Sequence, residues 1–67
     1  MCTITDFYNL PVAQKIEKLE AVSDTDKSAK VWMLNLQFAV RRRRPTIVSY
    51  SNMLSICYDQ IVAEIEK

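Results

Sequence analysis

Glycine occurs nowhere in the 67 residues, and few single facts narrow the choice of fold as much. Tight two-residue hairpins and glycine-rich phosphate loops both depend on residues that adopt positive φ without steric cost. Without their main supplier, hairpin-rich sheets and phosphate-binding loops are not expected. Apolar residues make up 49% of the chain, which argues against disorder. Helices are the remaining way to organise that apolar content.

Three segments carry helical periodicity. The first follows Pro11, a residue suited to an opening helical turn. Val12, Ile16, Leu19 and Val22 recur at spacings of four, three and three, and Lys15, Glu17, Lys18 and Glu20 are assigned to the solvent side. Ahead of it, Thr3 to Leu10 is read as a short turn or helical stretch, with Phe7 and Tyr8 folding down as a lid on the core. Ser23-Asp24-Thr25-Asp26 is the clearest break. Its short oxygen-bearing side chains suit the start of a second helix, from about Thr25 to Arg43.

That second helix is apolar on two sides. Ala29, Trp32, Met33, Leu36 and Val40 form one stripe, while Val31, Leu34 and Phe38 project from nearly the opposite side. A helix with two apolar faces is expected to bury both, which in so short a chain requires a second copy or another partner. Pro45 disfavours helical geometry at Arg44 and so ends this helix. Thr46 then caps a third helix, from about Ile47 to Ile65. Its main stripe is Ile47, Tyr50, Leu54, Cys57, Tyr58, Ile61 and Ile65, with Val62 at the margin and Met53 and Ile56 off it.

The expectation is one all-α domain over residues 1–67, a three-helix unit with a short first helix and two longer ones, forming a helical homodimer. Size points the same way. A chain this short buries only about 60% of its unfolded surface, and its core rarely supplies more than roughly 3–5 kcal/mol. Cys2 and Cys57 are the only cysteines and histidine is absent, so neither a disulfide framework nor a zinc site is expected. No cofactor is implied. Association is the remaining supplement, and Val31, Leu34, Phe38, Met53 and Ile56 are the candidate contact residues.

No catalytic constellation is visible, and the chain is not read as an enzyme. Histidine is missing, the glutamates fall where solvent is expected, and Cys57 sits on an apolar stripe where a buried inert thiol is the simpler reading. No apolar run reaches the roughly 18–20 residues of a membrane span, and the N-terminus lacks a signal-peptide pattern, so a soluble cytoplasmic protein is expected.

Charge is where the chain is unusual. Its net charge is only +1, yet residues 27–45 hold Lys27, Lys30, Arg41, Arg42, Arg43 and Arg44 with no acid among them. Cations at a helix C-terminus complement its dipole, which is one sufficient account of one or two arginines. Four in succession fan around the helix end and repel one another. A polyanion relieves this, because guanidinium groups bind phosphates in bidentate fashion and release counterions. An acidic protein surface is the third reading.

Leu10-Pro11 opening a first helix, followed by a long helix with basic residues, resembles the nodaviral suppressors among the small all-helical double-stranded RNA-binding proteins of viruses. The influenza nonstructural RNA-binding domain is similar in length, helix count and dimeric habit. The resemblance implies a non-enzymatic module that binds duplex RNA by its backbone, as in viral suppressors of host silencing or sensing. It transfers no binding residue to this chain. From the residues themselves, Arg41, Arg42, Arg43 and Arg44, with Lys27 and Lys30 in support, are the expected phosphate contacts. The alternative expectation is a small viral or phage accessory or inhibitor protein that docks an apolar helix face on a larger protein.

Overall fold

Four helices and no strand make up residues 3–66, the part of the chain that the computed structural model describes: α1 (Ile4–Tyr8), α2 (Val12–Thr25), α3 (Lys27–Arg43) and α4 (Ile47–Ile65). The fold is the small all-α unit expected, with the stretch ahead of Pro11 closing into a short helix of its own. Thr3 starts it by accepting the Asp6 amide at 3.1 Å. α4 packs against each of the other three helices, and α2 packs against α3. A three-helix bundle of α2, α3 and α4 therefore carries α1 on the flank of α4.

The connections are short because capping is local. α2 runs through Thr25, further than the polar tetrad suggests. The Ser23 and Thr25 hydroxyls donate back to the Glu20 and Val22 carbonyls instead of capping the next helix. Asp26 alone makes the break, its carboxylate accepting the Ser28 and Ala29 amides at 2.8 and 3.3 Å. Thr46 caps α4 as expected, accepting the Ser49 amide at 3.3 Å. Between α3 and α4, Arg44 takes the left-handed conformation, φ 43 and ψ 60, so a residue with a Cβ fills the place where helices commonly use glycine.

The core is the inner stripe of each helix. Phe7, Leu19, Ala29, Leu36, Leu54, Cys57, Tyr58, Ile61 and Val62 are buried, and Val12, Ile16, Val22, Trp32, Met33, Val40, Tyr50 and Met53 pack against them. The expected lid divides: Phe7 is buried and stacks parallel on Tyr58, centroids 4.0 Å apart, whereas Tyr8 stays exposed. On α4 the buried stripe is offset from the expected one. Val62 is inside, while Ile47 and Ile65, at the two ends of the longest helix, are exposed. They lie where neighbouring helices offer too little surface to cover them.

Lys15 overturns its assignment to solvent. It is 2% exposed. Its Nζ donates to the Ser51 and Ser55 hydroxyls, both at 2.9 Å, and to the Ser51 carbonyl at 3.4 Å. The Ser55 hydroxyl in turn donates to that carbonyl. The Tyr8 ring centre lies 5.2 Å from the same nitrogen. Among the described residues no buried side-chain nitrogen or oxygen lacks a partner, so this polar cluster is satisfied within the core.

The cluster is expected to behave as one unit. Ser55→Ala, which leaves the buried nitrogen short of an acceptor, costs about 1–3 kcal/mol in urea denaturation. Adding Lys15→Met to Ser55→Ala costs less than the sum of the two single changes, by about 1 kcal/mol or more. Strict additivity would mean that α2 and α4 are not joined through this contact.

Candidate interaction surface

The surface that stands out is the outward side of α3. Ala29, Leu36 and their neighbours commit the opposite side to the core, so residues half a turn away face solvent. Val31, Leu34 and Phe38 are 57, 56 and 62% exposed. Both expected faces of this helix exist, and among the described residues only the inner one is covered.

All four arginines are exposed, and Arg41, Arg42 and Arg43 occupy the last turn of α3. They divide around the helix. Arg41 lines the concavity between α3 and α2 that also holds Glu20 and Tyr50. Arg42 and Arg43 line a shallow depression with Asn35, Phe38 and Ala39. Arg44 follows at the left-handed turn. Among the described residues no side-chain hydrogen bond or ion pair engages any of the four. Their charge is therefore left to solvent.

Lys27 and Lys30 are exposed at the other end of α3. Lys27 is its first residue, where the helix dipole is positive, and no acid occupies the first turn. A cation there costs a few tenths of a kcal/mol, up to about 1. The arginines at the C-terminus gain from the dipole, whereas Lys27 stands at its positive end beside the capping carboxylate of Asp26. At 1.5 Å per residue, α3 sets these groups about 20 Å apart on one rigid rod. The structure thus holds both groups on one helix, with the apolar triplet between them.

Met53 and Ile56, on α4, lie around the corner from that triplet. Ile56 is exposed, whereas Met53 is half-buried against the core. With Trp32, Leu36, Cys57 and Gln60 they line an apolar groove of about 210 Å³ between α3 and α4. Trp32 serves the core and the groove wall together. Burial pushes the Cys57 thiol up from its ordinary 9.0 to about 11, which removes the thiolate that nucleophilic chemistry would need. Cys2 and Lys67 lie outside the described residues. Among the described residues, no group of three His, Cys, Asp or Glu side chains is placed to hold a metal ion. No described helix is long and apolar enough to cross a membrane.

Sequence reasoning missed the Lys15, Ser51 and Ser55 cluster. A signal existed: Lys15 lies four residues before Leu19, on its side of α2, and Ser51 and Ser55 are one turn apart on the side of α4 that continues to Tyr58 and Val62.

No known protein family, curated protein or solved structure matches this chain.

Two measurements test the local chemistry. A thiol whose folded pKa is raised contributes stability that is intact below the unfolded pKa and is lost as pH rises through the folded one. The stability advantage of the parent chain over Cys57→Ala is therefore expected to shrink between pH 9.0 and about 11; a constant or widening difference would contradict the burial. At Arg44, relief of the left-handed strain makes Arg44→Gly more stable by about 0.5–1 kcal/mol, whereas Arg44→Ala gains nothing comparable. Equal midpoints for the two substitutions would remove the strain argument.

Proposed function

We propose that this chain is a non-enzymatic helical module that binds the phosphate backbone of nucleic acid, duplex RNA foremost, without reading sequence. One observation carries the reading: Arg41, Arg42, Arg43 and Arg44 stand exposed at the end of α3 with no ion pair among the described residues. Residues 27–45 contain no acid to neutralise them. Guanidinium groups in this state are matched by phosphates, whose condensed counterions are released on binding.

Lys27 and Lys30 extend the contact along α3. A straight cationic rod can follow a backbone but carries no device for reading base edges. Duplex RNA is the favoured form because its deep major groove excludes side chains and its recognition rests on shape and backbone. The same reading pairs two copies of the chain through Val31, Leu34 and Phe38, with Met53 and Ile56 at the margin.

Fluorescence anisotropy with random-sequence RNA and DNA duplexes at low salt tests this. The parent chain binds, RNA more tightly than DNA, and replacing all four arginines by glutamine weakens binding on the order of 100-fold or more. Absence of binding, or binding indifferent to the four substitutions, removes the proposal.

A second reading has its own support. The exposed triplet and the apolar groove beside Ile56 are also what a protein partner would cover. A chain that ignores both duplexes and stays monomeric would point there, to a small accessory or inhibitory protein.

A further inference from the structure

Between α3 and α4 the chain reads Arg43-Arg44-Pro45-Thr46-Ile47. Two guanidinium groups precede a hydroxyl by three and two residues, and an apolar side chain follows it. That order suits a protein kinase with an acidic substrate cleft. Carboxylates there take up paired arginines in bidentate fashion, and a pocket beyond the acceptor takes the apolar residue.

Each part of the segment is accessible. Arg43, Arg44 and Thr46 are exposed, and Ile47 is 66% exposed. Residues 44–46 lie outside any helix. A kinase holds its substrate extended, so this connection and the adjoining helix ends have to open. Thr46 is already extended, with φ -65 and ψ 166. Arg44 is left-handed at φ 43, and opening releases that strain. Other hydroxyls lack this setting. Ser51 and Ser55 hold Lys15, Ser23 and Thr25 bond back into α2, and Ser49 has no arginine among the four residues before it.

We infer that Thr46 is a phosphorylation site, and that its phosphate neutralises the arginine run beside it. The Thr46 hydroxyl oxygen bonds to the γ-phosphorus of a nucleoside triphosphate, and the bond from that phosphorus to the β–γ bridging oxygen breaks. The nucleoside diphosphate leaves, and the hydroxyl proton passes to a carboxylate base of the kinase. A phosphothreonine carries a charge of about −1.5 to −2 near neutral pH, close to half the magnitude of four guanidinium charges. The arginines then have an anion of their own chain to meet, and an external polyanion has to compete with it. This control of polyanion binding rests on the nucleic-acid reading proposed above. The modification itself does not.

The test uses the folded full chain, ATP and the purified catalytic subunit of cyclic-AMP-dependent protein kinase, with modified positions mapped by mass spectrometry. Thr46 is expected to take up phosphate in nearly every chain. Thr46→Asn keeps a capping side chain but has no acceptor hydroxyl, so it takes up none; Thr46→Ser is still modified. Arg43→Gln with Arg44→Gln, its fold verified by circular dichroism, lowers kcat/KM for the kinase by about tenfold or more. The phosphorylated chain binds an RNA duplex about tenfold more weakly than the unmodified one, with a flatter salt dependence, and phosphatase treatment restores binding.

A folded chain left unmodified at Thr46 overturns the site, as does a rate indifferent to the two arginine substitutions. Phosphate on Thr46 with duplex affinity unchanged overturns the neutralisation and leaves the RNA reading standing. If the unmodified chain ignores the duplex, the RNA reading falls together with the control of it, while the labelling arms alone decide the site.

Discussion

The Nζ of Lys15, held by two serine hydroxyls and a carbonyl of α4, is the contact on which the arrangement of the helices turns. A nitrogen of this kind is costly to bury without acceptors, so α2 is fixed in register along α4 at the one place where Ser51 and Ser55 supply them. Tyr8 lies over the same nitrogen, and Phe7 stacks on Tyr58 about one turn further along α4. α1 is thereby seated on the flank of α4 that α2 leaves open. Hydrophobic burial supplies the bulk of the stabilisation, but it tolerates sliding; the directional contacts select one arrangement.

With α2 and α1 committed to α4, α3 completes the bundle using its inner stripe alone. Its outer stripe, Val31, Leu34 and Phe38, stays exposed among the described residues. Among the described residues the four arginines make no ion pair, and Arg41 shares its concavity with Glu20. Arginines at the C-terminal end of α3 are favoured by its dipole and thus compatible with a stable fold, which lets a concentrated positive charge exist without internal neutralisation. Arg41, Arg42 and Arg43 thus serve fold stability while staying exposed.

Much of this was legible in the residues. The absence of glycine, the three periodic segments, the Thr46 cap and the stop at Pro45 lead to the all-α unit, and the two apolar sides of α3 are plain in the spacing of Val31, Leu34 and Phe38. Other features were hidden for physical reasons. Lys15 carries a polar head on a long apolar stem, and only the serines of a helix distant in sequence decide which end of it matters. Ile47 and Ile65 keep the correct period yet lie beyond the reach of shorter neighbours, because periodicity states which side a residue is on and not whether anything stands opposite. The polar tetrad before α3 could cap at any of its members, and Asp26 does so because the hydroxyls of Ser23 and Thr25 bond back into α2.

The central claim is that the arginines of α3 present unneutralised charge to an external polyanion. It is tested most directly by the salt dependence of duplex RNA affinity, as the slope of log K against log salt. Four arginine–phosphate contacts give a slope of about −3 or steeper, and glutamine at Arg41, Arg42, Arg43 and Arg44 flattens it. A slope near zero, or one that survives those substitutions unchanged, would contradict the account.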